Sequence, residues 1–268
     1  MNDWHEAEQH IERAHDLYER GRWDEAESEL RQALALNPYQ AEWHFNLGLT
    51  LEAAGRFGDA AVAFQDAFRN GADDASTAVA IGVNLMQAES QADAVDEAMT
   101  WFERASSIDP DAVEPYLHRI AAYARQQNHE QAEVMFYLGQ QIDPECGELY
   151  AALAESLLAR SLHDKAVWCL REASRIDPTL PRVQARLAEA YAATGRMERA
   201  RQLYLRELRQ DPGDIDTLLD LGDLLVEMGR DAEAGEKFRR VLEIEPDNAD
   251  AHFALGDLAE RQGNQDEA

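Results

Sequence analysis

The chain has 268 residues, enough for one or two globular domains, and its apolar fraction of 45% is ordinary for a protein that folds. Its formal net charge of -28 at pH 7 disfavours nucleic acids and anionic membranes as partners and favours basic ones. No apolar run approaches the ~18 residues of a membrane helix, and the polar start MNDWHEAEQH is unlike a signal peptide. These features predict a soluble, cytoplasmic protein that binds neither nucleic acid nor membrane.

Arginine supplies almost all of the positive charge, because Lys165 and Lys237 are the two lysines of the chain. Many acids with few lysines fit a salt-loving or GC-rich source, a generic solubility surface, or a charge selected for a partner. These three interpretations stay open at the level of sequence.

The chain repeats itself with a period of 34 residues. Five prolines mark the period: Pro110, Pro144, Pro178, Pro212 and Pro246. Pro38 lies 72 residues before Pro110, four more than two periods, so the third repeat carries an insertion within 87–98. The predicted repeats are 7–40, 41–74, 75–112, 113–146, 147–180, 181–214 and 215–248, followed by an incomplete piece, 249–268.

Each repeat contains two stretches with helical periodicity. In 215–248 the first stretch has apolar residues at helical spacing: Leu218, Leu221 and Leu225. Gly229 interrupts the pattern, and a second stretch follows before Pro246: Ala234, Phe238 and Val241. The pattern predicts helix, turn, helix and turn in every repeat.

Three positions recur in nearly every repeat and predict close helix crossings. A small residue on the second helix is Ala26, Ala60, Ala98, Ala132, Ala166, Ala200, Ala234 and Ala268. A bulky residue four positions later is Leu30, Phe64, Phe102, Phe136, Leu170, Tyr204 and Phe238. A small residue on the first helix is Ala14, Gly48, Gly82, Ala154, Ala188, Gly222 and Gly256. Small residues let two helix backbones approach, and bulky neighbours fill the flanking space.

This pattern resembles the tetratricopeptide repeat family over essentially the whole chain. The resemblance implies an all-α fold, in which antiparallel helix pairs form one right-handed superhelical solenoid over 1–268. Two repeats depart from the pattern. The fourth has Ile120 at the small position and Gly139 near the end of its second helix. The third lacks the turn glycine, so either its first helix runs on by about one turn of 3.6 residues or its turn is a longer loop.

In this family the first helices line a concave groove, and the resemblance assigns groove positions here. They are apolar in the second to fourth repeats: Phe45, Leu49, Val79, Val83, Met86 and Leu117, with Asn46 and His118 as polar groups. In the fifth to eighth repeats they become acidic, with ten acids against three arginines (Arg182, Arg186 and Arg261). The acids are Glu148, Glu155, Glu189, Asp216, Asp220, Asp223, Glu227, Asp250, Asp257 and Glu260. The predicted partner is a peptide or protein with an apolar and a basic segment. The alternative is that the acidic half is only solvated surface.

The sequence predicts no catalytic residues, no metal site and no cofactor. The histidines of HEAEQH, His5 and His10, are five residues apart, whereas a zinc-protease helix needs four. Cys146 and Cys169 form no CxxC motif. A non-catalytic scaffold or adaptor is therefore predicted. The alternative is that the chain is the targeting region of a larger enzyme, such as a glycosyl- or sulfo-transferase.

The incomplete last repeat has a first helix, which is predicted to leave three apolar residues without a covering helix: Phe253, Leu255 and Leu258. Three interpretations stay open: the chain is a fragment of a longer protein, its last helix docks on a second copy to form a homodimer, or the end frays.

Overall fold

The computed structural model describes residues 2–88 and 94–266, and within those ranges it contains fifteen helices and no strand. The helices of the first half are α1 (Asn2–Glu19), α2 (Trp23–Leu36), α3 (Ala41–Ala53), α4 (Phe57–Arg69), α5 (Ala75–Gln87), α6 (Ala94–Ile108), α7 (Glu114–Arg125) and α8 (His129–Ile142). Those of the second half are α9 (Gly147–Ala159), α10 (His163–Ile176), α11 (Val183–Ala193), α12 (Met197–Gln210), α13 (Ile215–Glu227), α14 (Asp231–Ile244) and α15 (Ala249–Asp266). The predicted all-α fold is confirmed.

The helices belong to two compact units, unit 1 (residues 1–144) and unit 2 (residues 145–268). In unit 1 the pairs are α1/α2, α3/α4, α5/α6 and α7/α8, and each pair packs on the next through its second helix. In unit 2 the pairs are α9/α10, α11/α12 and α13/α14, and α15 packs on α14. The two helices of a pair run antiparallel because a short turn joins them. Packing in consecutive pairs is as predicted, whereas a single array with the stated repeat bounds stays a prediction.

Prolines set where the second helix of a pair ends. α10 ends at Ile176 and α14 at Ile244, in both cases two residues before a proline. A proline ring fixes φ and lacks the N–H that a helix interior needs, so the chain leaves the helix before it.

The turn inside a pair uses one residue in the left-handed region. Gly21, Gly55, Gly195 and Gly229 have φ between 70° and 76°. The corresponding residues of the α7/α8 and α9/α10 turns are Gln127 (φ 58°) and Ser161 (φ 56°). A residue with a Cβ is strained there, at a cost of order 1 kcal/mol. Because the conformation persists without glycine, the packing of the two helices imposes it.

The core follows the three recurring positions. The seven alanines from Ala26 to Ala234 that were predicted at helix crossings are all 0% exposed. The bulky residues four positions later are at most 3% exposed. At Gly48, Gly82 and Gly222 an added Cβ would collide with a phenylalanine ring of the partner helix. Ile120, the exception, is also fully buried. The predicted close crossings are therefore confirmed, except at Ala268, which lies outside the described residues.

The third repeat keeps a first helix of ordinary length. α5 has 13 residues, as α3 and α13 do, and it ends at Gln87. The alternative in which this helix runs on by one turn is therefore wrong. Residues 89–93, which hold most of the predicted insertion, lie outside the described residues, and the next helix begins at Ala94.

The last helix, α15, covers more of its apolar surface than the sequence predicts. Leu258 is 4% exposed, and its side chain lies against Gly235 of α14. The prediction that Leu258 lacks a covering helix is wrong, because α14 covers it. Phe253 agrees with the prediction, since 80% of its surface is exposed, while Leu255 is half-buried.

Candidate functional site

In unit 1, the first helices of the first two pairs enclose a cavity of about 490 Å³. Two predicted groove residues of α3, Asn46 and Leu49, line it. From α1 it receives Ile11, His15 and Tyr18, and Leu30 of α2 also lines it. The lining is mostly apolar with a few polar groups, which is the composition of small binding pockets in general.

The other apolar residues of the predicted groove belong largely to the core. Val79 is 8% exposed, and Phe45, Val83 and Met86 are half-buried against the core of unit 1. The Phe45 ring packs edge-on against Phe64, with 5.1 Å between the ring centroids. These four side chains therefore offer little free surface.

The predicted groove residues of α7 are half-buried as well. The His118 imidazole stacks on the Phe102 ring, with centroids 5.3 Å apart and planes 18° from parallel. Burial lowers the pKa of His118, and the nearby Glu114 opposes that effect only in part. The imidazole is thus held neutral near pH 7, and it packs as an aromatic ring beside Leu117.

Within the described part of unit 2, arginines pair with four of the ten predicted acids, one of which is Asp216, paired with Arg182. Arg186 lies between two of them, with its Nη atoms 3.5 Å from Glu155 Oε1 and 3.5 Å from Glu189 Oε2. Arg261 Nε lies 2.8 Å from Asp257 Oδ2. Asp220 and Asp223 have no ion pair among the described residues. The charges of these two carboxylates are therefore not compensated by a directly paired cation.

Asp220 and Asp223 line a cavity of about 300 Å³, which we call the acidic cavity. Glu227 completes the acidic side of α13, and Glu189 reaches the cavity from α11. Tyr204 of α12 also lines it, together with the apolar residues Ala192, Ala193 and Leu224. The cavity thus gathers four acidic side chains between the first helices of two consecutive pairs.

Burial and the crowding of like charges both raise the proton affinity of carboxylates in the acidic cavity. The pKa of Asp220 is raised to about 6 by burial and by the charge of Glu189, and the charge of Arg182 opposes this only in part. The pKa of Asp223 is raised by burial and by Glu227. A cation placed here would relieve this repulsion, because it favours the charged form of every carboxylate around it.

Tyr204 contributes a hydroxyl that has no hydrogen-bond partner among the described residues. Its side chain is 3% exposed. Burial raises the pKa of Tyr204, and the charges of Asp220, Glu189 and Asp223 raise it further, so the phenol keeps its proton. A protonated hydroxyl at the wall of the cavity can form a hydrogen bond with a polar group of a ligand.

The Asp220→Asn variant is expected to be more stable than the wild type at pH 8 and equally stable near pH 4. The pKa of Asp220 is about 6 in the folded chain and about 4 in an unfolded one, so folding takes up a proton between these values. The wild type therefore loses stability as the pH rises through this window, and the variant does not. Solvent screening limits the gain at pH 8 to about 1 kcal/mol or less. Thermal unfolding at both pH values measures the difference.

Glu236→Gln is the matched control for this prediction. Glu236 is an exposed acid of α14 outside the acidic cavity, so its replacement reports the effect of lowering the net charge alone. An equal gain of stability at pH 8 in both variants would contradict the crowding assigned to Asp220.

The two histidines of HEAEQH lie in different surroundings. His10 Nδ1 lies 2.7 Å from Glu29 Oε2 on the neighbouring helix, while His5 is exposed. Cys146 and Cys169 are buried thiols. Among residues 2–88 and 94–266 there is no group of three or more His, Cys, Asp or Glu residues that could hold a metal ion. In the same ranges, none of the helices has the length and apolarity that crossing a bilayer requires.

Sequence reasoning missed several residues of the two cavities. Ile11, His15 and Tyr18 occupy in the first repeat the positions that were assigned to the groove in later repeats, so the same rule would have found them. Tyr204 was assigned only to the core. Four other repeats have phenylalanine at this position, so the additional hydroxyl of Tyr204 could have indicated a role beyond packing in the core.

The fold places the chain among all-α proteins that are built from antiparallel helix pairs, in which small residues lie where the helices cross. Matches to models of protein families identify the family within this class. Models described as tetratricopeptide repeat match residues 11–75 and 181–224, and one described as TPR repeat matches residues 222–263. The matches together cover more than half of the chain, which is a member of the tetratricopeptide repeat family.

Solved structures with the same fold share little sequence with this chain. A tetratricopeptide repeat protein from Parabacteroides merdae aligns with a TM-score of 0.74 at 16% identity, over 95% of this chain and 99% of its own. Yeast Tom70 aligns with a TM-score of 0.74 at 17% identity, over 97% of this chain and 55% of its own. YrrB, described as a TPR protein with an unusual peptide-binding site, aligns with a TM-score of 0.52 at 20% identity, over 73% of this chain and 99% of its own. No curated protein sequence matches the chain.

The family fixes the general class of function. Tetratricopeptide repeat folds are in general protein-interaction scaffolds, and proteins made of these repeats alone are typically non-catalytic. Proteins of this class bind other proteins or peptides.

Proposed function

We propose that this protein is a non-catalytic scaffold that holds a peptide or protein segment, and that the acidic cavity of unit 2 binds a basic part of that segment. The observation that carries the proposal is the acidic cavity itself. Asp220 and Asp223 have no ion pair among the described residues, and both stand beside further carboxylates. A stable protein without a ligand gains nothing from this arrangement, because unpaired like charges repel each other.

The size and lining of the acidic cavity favour a single arginine or lysine side chain as its occupant. A volume of about 300 Å³ is at the lower end of small-ligand pockets. The guanidinium or ammonium group would lie between Asp220 and Asp223, in a cavity that Tyr204 also lines. The apolar wall, which includes Leu224, suits the aliphatic stem of such a side chain.

Unit 1 is proposed to bind the apolar part of the partner at the cavity beside Asn46 and Leu49. Tyr18 and Leu49 are 38% and 37% exposed there, so apolar area remains to be buried. The Asn46 side chain offers a polar group that can orient a peptide backbone. The predicted homodimer and the cytoplasmic location stay predictions.

The proposal is tested by reversing the charge of the acidic cavity. Asp220→Lys combined with Asp223→Lys is expected to weaken binding of a labelled arginine-rich peptide of about ten residues at least tenfold, because two attractive pairs become repulsive. Fluorescence anisotropy at about 50 and 200 mM salt gives the affinities, and the wild type is expected to bind more weakly at the higher salt.

The control variant is Glu236→Lys combined with Asp247→Lys. Both residues are exposed acids of unit 2 outside the acidic cavity, so the change in net charge is identical. This variant is expected to bind within about twofold of the wild type, a difference below 0.5 kcal/mol. Unchanged affinity in the cavity variant, or equal losses in both variants, would mean that the acidic half is only solvated surface.

A further inference from the structure

Unit 2 contains a second cavity, of about 590 Å³, whose charge is opposite to that of the chain as a whole. Five arginines line this arginine cavity: Arg171 and Arg175 of α10, and Arg199, Arg206 and Arg209 of α12. They are one in five of the 25 basic residues in a chain of net charge -28. Scattered surface arginines do not produce such a concentration, so it requires a reason of its own.

Helical spacing places these arginines on shared faces. Arg171 and Arg175 are four residues apart, and Arg199 and Arg206 are seven apart, so each pair lies on one side of its helix. At 3.6 residues per turn, the arginines of α12 lie roughly 140–220° around the helix from Tyr204. The arginine cavity is therefore on the opposite side of α12 from the acidic cavity.

Most of this positive charge has no partner within the described part of the chain. Arg175 Nε donates to Glu172 Oε2 at 2.8 Å, and Arg199 lies over the Tyr191 ring at 5.9 Å. Arg171, Arg206 and Arg209 have no ion pair among the described residues. Arg206 and Arg209 are three residues apart on α12, so their like charges repel each other, although Arg209 lies in the last turn, where a basic residue is favoured.

The repeat architecture does not require arginines at these positions. Thirty-four residues later, α14 carries Glu233 and Glu243 where α12 has Arg199 and Arg209. The one arginine that both helices share is satisfied in α14, where Arg240 Nη1 donates to Glu243 Oε2 at 2.6 Å. The positions of Arg199 and Arg209 thus accept acids in the next pair. Arg240, which corresponds to Arg206, is paired there, whereas Arg206 has no ion pair among the described residues.

The walls of the arginine cavity are otherwise fixed and partly apolar. Gln184 is 5% exposed, and its Nε2 donates to Ser174 Oγ at 2.7 Å, which ties α11 to α10. Leu187 and Leu203 add apolar surface between the arginines. Guanidinium groups bind carboxylates through two parallel hydrogen bonds, and unpaired arginines on a fixed frame suit that geometry.

We propose that the arginine cavity binds a short segment of a partner protein that is rich in aspartate and glutamate. An acidic segment is proposed because its charge complements that of the arginines. A short segment is proposed because the rest of this chain is acidic and would repel a long one. A long polyanion such as a nucleic acid would also meet the acidic remainder of the surface, whereas a short segment stays within about one Debye length, ~8 Å, of the arginines. This site is independent of the acidic cavity, and one scaffold could hold two segments of opposite charge.

The test measures binding of three labelled ligands to the whole chain: a glutamate-rich peptide of about ten residues, its phosphoserine counterpart and a single-stranded RNA of similar length. The glutamate peptide is expected to bind the wild type, more weakly at about 200 mM than at about 50 mM salt. Arg206→Glu combined with Arg209→Glu is expected to weaken this binding at least tenfold. Arg239→Glu combined with Arg240→Glu makes the same charge change on exposed residues of α14 and is expected to leave it within about twofold.

Several results would overturn the proposal. Failure of the wild type to bind the glutamate peptide at about 1 mM would do so, and so would equal losses in the two arginine variants. Binding of only the phosphoserine peptide would reject carboxylates as the ligand, and tighter binding of RNA would reject a protein segment. Sedimentation that shows self-association of the wild type, lost in the Arg206 and Arg209 variant alone, would identify the occupant as a second copy. Circular dichroism of each variant confirms that it is folded.

Discussion

Replacing Ala166 by leucine is expected to lower the free energy of unfolding by about 1–3 kcal/mol. Ala166 is 0% exposed and lies on α10, which packs along α9. A leucine adds three carbon atoms at a crossing that has no free volume, so either the two helices separate or side chains leave their preferred rotamers. Urea unfolding followed by circular dichroism measures the change.

The matched control is Lys165→Leu. Lys165 precedes Ala166 on the same helix but is exposed, so a leucine there meets no neighbour. Its effect is expected to stay within about 0.5 kcal/mol. If Ala166→Leu unfolds at the same urea concentration as the wild type, the aligned alanines do not mark helix crossings.

The helix pairs could be predicted from sequence because local rules fix them. Prolines end the second helices, and the aligned alanines fix which faces meet. Gln127 and Ser161 could not be predicted to adopt positive φ, since the signal for that conformation is glycine and here the packing of two helices imposes it. The insertion in the third repeat left two alternatives, a longer first helix or a longer loop. The repeat period gives the number of inserted residues but not the element that contains them.

The candidate site could be predicted only in outline. The family's groove positions located Asp220 and Asp223, but ion pairing depends on side chains that meet across consecutive repeats. Arg186 is an example, because it neutralises Glu155 of α9 and Glu189 of its own helix at once. Counting charges along the sequence therefore overstated how much of the predicted groove is anionic.

The arginine cavity shows a second limit of sequence reasoning. Its arginines come from two helices that are not consecutive in the chain. α10 ends at Ile176 and α12 begins at Met197, and α11 lies between them. A net charge of -28 hides them in the total. Only their placement on facing sides of α10 and α12 brings them together, and that placement is a property of the packed pairs.

Gly222 and Phe238 form a coupled pair whose two parts are expected to compensate for each other. An added Cβ at Gly222 would collide with the Phe238 ring. Two repeats that have alanine at the first position carry leucine sixteen residues later, as Ala154 with Leu170 does, whereas Ala188 is followed by the larger Tyr204. The sizes of Gly222 and Phe238 are therefore expected to be coupled because of the geometry of this crossing, in which the ring takes the space that an added Cβ needs.

A double-mutant cycle tests this compensation. Gly222→Ala alone is expected to cost about 1–3 kcal/mol through overpacking, and Phe238→Leu alone about 1 kcal/mol or more through the space it leaves. The double variant is expected to lose at least about 1 kcal/mol less than the sum of the two, because the smaller side chain makes room for the added methyl group. Urea unfolding of the four proteins gives the coupling energy.

The control cycle combines Gly222→Ala with Phe253→Leu. Phe253 is 80% exposed on α15, so the same change of phenylalanine to leucine leaves no buried space there. The two effects are expected to add within about 0.5 kcal/mol. Additivity in both cycles would contradict the compensation, because Gly222 would then be tolerated for a reason other than the ring of Phe238. Compensation in the first cycle alone would show that glycine is required at position 222 because of the Phe238 ring that it faces.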